Sequence, residues 1–122
     1  MKNVIFLVDA QQSPSGGGKI IYQYSNYINS LKNFSSCVAH LKKKKINKWI
    51  NSINKRINIY ENNYVGWKAN ELTVKKNHNF SWFNVKINSK NDLNFDKNND
   101  FVILPEIFAH LANDILLKKK IN

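Results

Sequence analysis

The chain has a single cysteine, a single arginine, one methionine, two prolines and four glycines among its 122 residues. A lone cysteine, Cys37, permits neither an intrachain disulfide nor a cysteine zinc cluster, so the chain reads as reduced and intracellular. No His or acid is paired with Cys37 by a recognisable motif, and it reads as a small buried strand residue, not a nucleophile. No apolar run approaches the roughly 20 residues of a transmembrane helix, and the apolar stretch Val4 to Val8 is too short for a signal peptide. The expected location is cytoplasmic. The scarcity of Gly and Pro, with 43% hydrophobic and 12% aromatic residues, excludes a disordered or fibrous chain. The length admits one domain.

Acid is scarce too. Nineteen Lys plus Arg stand against eight Asp plus Glu, a formal charge of +11, which points first to a phosphate-bearing or anionic-lipid partner. Lys, Asn and Ile supply 18, 21 and 14 residues, and all three have AT-rich codons, so coding bias accounts for part of the excess. Nucleic-acid readers favour Arg for bidentate contacts, and Arg56 is the only one. The excess is nevertheless concentrated, because residues 42–60 sum to +7 with no acid. Lys42, Lys43, Lys44, Lys45 and Lys48 are therefore the candidate contacts to an anionic surface.

Val4 to Val8 reads as a strand buried on both faces, as parallel sheets require. After it comes DAQQSPSGGG, which holds the only glycine cluster. From Lys19 the period becomes helical: Ile20, Tyr24, Tyr27, Ile28 and Leu31 form one apolar stripe. Ser36 to Leu41 reads as a second strand, completing a βαβ unit with a right-handed crossover. Ile46, Trp49, Ile50, Ile53 and Ile57 predict a basic amphipathic helix over 46–58. Residues 71–76 are a weaker strand candidate, 80–87 are either another strand or an irregular aromatic segment, and 88–100 is a polar loop. Phe101 to Leu104 is another buried-strand run, stopped by Pro105. A helix follows, with Ile107, Phe108, Leu111, Ala112, Ile115 and Leu116 as its stripe and Lys118 to Lys120 at its C-terminus. The expected architecture is α/β and Rossmann-like, a mainly parallel sheet flanked by helices. It is expected to be incomplete, since no strand follows the last helix to continue the sheet.

A glycine loop feeding a helix presents unpaired N–H groups and a positive dipole end to an anion. A P-loop is excluded, because Ser13 and Ile20 stand where it needs glycine and Ser or Thr. A dinucleotide fingerprint is disfavoured, because Ile21 replaces its third glycine and His40, Leu41 and Lys42 stand where an acid is required. No cofactor and no metal site follow from the motifs. Two uses of the glycines remain open: close approach of a charged or sugar-like ligand, or a turn and tight helix packing.

The stretch SPSGGGKIIYQYSNYINSL, after a strand ending in LVDA, resembles the start of bacterial glycosyltransferases of the two-Rossmann GT-B architecture. DFVILPEIFAHLA resembles the strand, Pro-Glu turn and helix further along the same N-terminal domain. The two blocks cover about a third of the chain. The resemblance implies that residues 1–122 are the acceptor-side domain of a sugar transferase and that the C-terminal, donor-binding domain is absent, so that the chain alone does not catalyse transfer. It implies a nucleotide-sugar donor held mainly by that other domain, and a glycan or lipid-linked acceptor. It places Gly16, Gly17 and Gly18 at the interdomain cleft as backbone donors; Asp9, at the end of the first strand, is a further substrate-binding candidate. Glu106 and His110, four residues apart on a helix after the last strand, become the candidate catalytic pair, His110 as general base or hydroxyl ligand.

On this reading the basic segment brings the protein to an anionic membrane face, as a peripheral contact. The alternative is a nucleic-acid-binding module, with the same lysines and Trp49, Tyr60, Tyr64, Trp67 and Trp82 as stacking platforms. The single Arg and the buried-strand runs weigh against it, so no nucleic-acid partner is expected.

Overall fold

A computed structural model of the chain describes residues 1–10, 16–44, 67–76 and 85–117. Strand β1, Lys2–Asp9, leads through helix α1, Gly16–Asn29, to strand β2, Phe34–Lys43. Strand β3, Leu72–Val74, follows a 3-10 turn at Ala69–Glu71, and strand β4 is Asp100–Ile103. The sheet order is β3-β2-β1-β4. β1 is parallel to both β2 and β4, and β3 runs antiparallel to β2. The molecule is thus α/β, with an open, mostly parallel four-stranded sheet flanked by helical segments.

The strands form where β-branched and aromatic residues run together, and β1 pairs with β2 along its whole length, from Lys2 opposite Phe34 to Asp9 opposite Leu41. Beyond its pairing with β3, β2 also exchanges backbone bonds with the loop at Asn88 and Lys90 through Val38. The polar stretch expected as a loop over 88–100 thereby serves as edging for the sheet. Its Asp side chains hold it in shape: Asp96 accepts from the Asn98 amide, and buried Asp100 accepts from the Asp96 amide and from Asn3 Nδ2. Those bonds to the Asp96 carboxylate hold its pKa below the usual range.

Pleat alternation splits the core. On one face Ile5, Leu7, Ala39, Leu41, Leu72 and Val74 pack with Trp67, Phe108, Leu111 and Ile115. Trp67 and Phe108 lie 5.6 Å apart, centroid to centroid. On the other face Phe6, Val8 and Val38 meet Tyr22 of α1, with Val4, Ile21 and Ile28 at the margin.

Several expectations need correction. α1 does not bury the stripe of Ile20, Tyr24, Tyr27 and Leu31, which are 40–65% exposed; only Ile28 of that set packs against the sheet. The reason lies in β2, whose Ser36 and His40 face α1 as buried polar groups that must be hydrogen-bonded. The helix is rotated so that Tyr22, Ser25 and Asn29, spaced i, i+3, i+7, meet them. Second, the segment after Pro105 is a 3-10 helix over Glu106–Leu111 followed by a π turn over Asn113–Leu117, not one α-helix. It still buries Phe108, Leu111 and Ile115. Third, Trp67 is buried, so it offers no stacking platform. The strand expected over 71–76 contracts to Leu72–Val74, and Val85 to Ile87 is not a strand. The expected helix over 46–58, with Trp49, lies outside the described residues, as do Tyr60, Tyr64, Trp82 and Lys118 to Lys120.

Candidate functional site

In an open parallel sheet the loops leaving the carboxyl ends of the strands converge, and they diverge to make a crevice where the strand order reverses. Here that point lies between β1 and β4. The chain leaves β1 toward α1 and β2 on one side, while β4 lies on the other side of β1. The features singled out in the sequence lie around this edge to different degrees.

α1 begins at Gly16, with no acidic side chain in its first turn to neutralise the positive end of the helix. Neither Gly16 nor Gly17 is placed there by packing, because a Cβ built on either meets nothing within 4 Å. No glycine among the described residues has a positive φ; the left-handed residue of the βαβ unit is Asn33, at 72°, in the turn entering β2. The turn-and-packing use of these two glycines therefore does not hold, and what they leave is exposed backbone at a helix N-terminus. Gly18 follows, half-buried. A carboxylate, Asp9, ends β1 at the same edge and is half-buried.

Behind this opening lies a pair that the sequence reading missed. Tyr22 Oη and His40 Nε2 are 3.0 Å apart, both buried, with ring centroids 5.7 Å apart. Burial pushes the Tyr22 phenol up to about 12, and the charge of Asp9 adds to the rise. The phenol therefore keeps its proton at neutral pH and stays available as a hydrogen-bond partner. Two further bonds fix the helix on the strand: Ser25 Oγ to Ser36 Oγ at 2.8 Å, and the Asn29 amide side chain to both the Ser36 N–H and C=O, at 2.7 and 2.9 Å. A pattern in the sequence could have found them. Polar residues at 22, 25 and 29 repeat with helical spacing, and Ser36 and His40 repeat with strand spacing.

The other candidates separate. Glu106 is exposed at the start of the 3-10 helix beyond β4. With three residues per turn, side chains at i and i+3 are aligned and those at i and i+4 are not, so Glu106 and His110 do not share a face. His110 Nε2 is 3.0 Å from the Trp67 carbonyl oxygen. A carbonyl only accepts, so His110 donates, and that nitrogen ties the C-terminal segment to the strand-preceding turn on the far face of the sheet. Lys42 and Lys43 are the last residues of β2, on opposite faces by pleat alternation, and Lys44 follows with its amide bonded to the Glu71 carbonyl. All three are exposed, but they do not build one continuous basic face. Lys45 and Lys48 lie outside the described residues. Cys37 is half-buried on β2, and burial pushes its thiol pKa up, as expected of a structural cysteine.

Among the described residues no group of three His, Cys, Asp or Glu side chains could hold a metal ion, and no helix is long and apolar enough to cross a membrane. What the edge can do chemically is bind. The first-turn amides and dipole of α1 suit an anion such as a phosphate, and carboxylates such as Asp9 accept hydrogen bonds from hydroxyl groups. No family model, no curated protein and no solved structure matches this chain.

Proposed function

We propose that the chain is the N-terminal, acceptor-side part of a glycosyltransferase of the GT-B type, acting with a nucleotide-sugar donor on a cell-envelope or polysaccharide acceptor. The donor-binding domain would lie outside these 122 residues, and the chain alone would be inactive. The observation that carries this reading is the open, acid-free glycine start of α1 at the carboxyl edge of a parallel sheet, the edge at which Asp9 ends β1 and the Pro105-Glu106 turn follows β4. A site of that kind holds a phosphate on backbone amides and a sugar hydroxyl on a carboxylate, the two chemistries that a phosphorylated glycosyl acceptor or donor presents. Gly16, Gly17, Gly18 and Asp9 are its binding residues. Glu106, exposed at the start of the segment after β4, and His110 are the proposed catalytic residues, and His110 acts only by giving up its bond to Trp67. Peripheral attachment to an anionic membrane, at the cytoplasmic side, belongs to the same proposal.

Amide chemical-shift mapping tests it. Adding a nucleoside diphosphate or a polyprenyl phosphate should shift the amides of Gly16, Gly17 and Gly18, and Gly17→Ala should weaken that binding. Shifts confined to the lysines at Lys42, Lys43 and Lys44, or tight binding of single-stranded DNA in place of either ligand, would reject the assignment.

A further inference from the structure

Among the described residues, β4 is packed over on one side of the sheet and largely uncovered on the other. Val102 and Leu104 pack against the larger core cluster. Phe101 and Ile103 pair in register with Val4 and Phe6 and so share their face, the face of α1. Val4 and Phe6 belong to the cluster beneath the helix, whereas Phe101 and Ile103 are 42% and 44% exposed.

α1 explains why it does not reach them. Tyr22 and Asn29 point toward β2, to which they are bonded, and Ile21 and Ile28 point to the other flank. Continuing round the helix in that direction, at 100° per residue, come Tyr24 and Ile20, both exposed. The flank beyond Tyr22 carries Gln23 and Asn26 instead. The apolar arc of α1 thus overhangs the β4 side, and a helix stands one side-chain layer above its sheet. Wall and floor make a concave step, which a flat bilayer cannot fill. A second helix lying beside α1 can, and that is how open α/β sheets cover a strand face.

Charge narrows the occupant. No acidic residue occurs between Ala10 and Tyr60. Lys2 places its Nζ 5.9 Å from the Phe101 ring centroid while bonding the Asn98 carbonyl at 2.8 Å, and exposed Lys32 follows α1 at the same end. Asp96, an exposed acid that feels the Lys2 charge, has its oxygens engaged by the Asn98 amide and the Asn99 side chain, and Lys32 has no acid near it in the chain. Asp100 on β4 is buried, with both its oxygens accepting hydrogen bonds. Asp9 and Glu106 lie at the opposite, carboxyl end of the strands. A second copy at +11 is repelled. We infer that the step between α1 and β4 is the docking site of an amphipathic helix from a partner polypeptide, apolar toward Tyr24, Phe101 and Ile103 and acidic where it meets Lys2 and Lys32. This holds whether or not the protein is a glycosyltransferase.

Fluorescence anisotropy of the full chain with a labelled helical peptide of about 18 residues, leucine on one face and glutamate on the rest, tests the docking. The same peptide with lysine for glutamate, and vesicles of phosphatidylglycerol and phosphatidylcholine in equal parts, complete the comparison. The acidic peptide is expected to bind about tenfold or more tightly than the basic one. Tyr24→Glu and Ile103→Glu should each weaken it about tenfold, and Ile107→Glu, an exposed apolar site off the step, should leave it unchanged. Lys2→Glu with Lys32→Glu should reverse the preference between the two peptides, a result that a misfolded variant does not give. The inference is overturned by equal binding of both peptides, by no peptide binding, or by vesicle binding that alone responds to Tyr24 and Ile103.

Discussion

Among the described residues, one face of the sheet buries ten apolar residues from Ile5 to Ile115, Trp67 and Phe108 among them; the other buries four, and there α1 is held as much by hydrogen bonds as by area. The first layer is built by apolar volume and tolerates loss of shape poorly. The second is built by three polar connections, Tyr22–His40, Ser25–Ser36 and Asn29–Ser36, which set the rotation of the helix. Polar pairing on a sheet face constrains direction more than it adds stability, since each bond contributes a net ~1 kcal/mol. One consequence is an apolar arc turned outward on α1. Another is that the glycine start of α1, at the crevice edge, is carried by the polar face.

The contrast is most directly broken at Phe108, which is fully buried. Phe108→Ala is expected to lose about 3–5 kcal/mol in chemical denaturation; a loss similar to that of a polar-face substitution would erase the distinction between the faces. Tyr22→Phe should lose less, about 1–3 kcal/mol, because it strands a buried His40 nitrogen without removing the ring.

The same phenol gives the polar face a pH signature. Its pKa in the folded chain is raised from 10.0 to about 12, so its contribution is fully present below pH 10 and is lost as pH climbs through 12. Across that window stability should fall by up to ~1.4 kcal/mol per pH unit from this group. Tyr22→Phe should remove that component from denaturation curves measured between those pH values; an unchanged slope would mean that the phenol is not buried against His40.

Gly17→Ala should act in the opposite sense. A Cβ meets nothing there, so thermal denaturation is expected to show a gain of about 0.5–1 kcal/mol from helix propensity, together with weaker phosphate binding. Stability gained without loss of binding would separate the glycines from ligand approach. The smallest effect belongs to the bare side of β4: Ile103→Ser should change stability by about 0.5 kcal/mol or less. A large loss there would show that the step is already filled by this chain.

Legibility in the sequence followed burial. β1 is a continuous apolar run, readable because a strand buried on both faces has little choice of residue type. β4 was readable as an apolar run too, but the burial expected on both its faces does not hold, since Phe101 and Ile103 are exposed. As with β1, burial made Phe108, Leu111 and Ile115 legible, and they keep their apolar spacing even though the segment winds as 3-10 and π turns. Where the partner is polar, the reading turned the wrong way. Apolar periodicity assigned the buried side of α1 to Tyr24 and Tyr27, because it had no knowledge of Ser36 and His40 across the interface. The pairing of Glu106 with His110 rested on α-helical spacing, and a change of winding removed it.

The sequence by itself determined the class, a glycine-led βαβ unit with a further parallel strand, and the concentration of positive charge, because composition and local period act over a few residues. Only the tertiary structure decided which side of α1 is inside, where Trp67 and His110 are engaged, and that Phe101 and Ile103 stand uncovered. Those outcomes depend on satisfying buried polar groups that lie 7 to 43 residues apart in the chain, and no local pattern encodes which of them will meet.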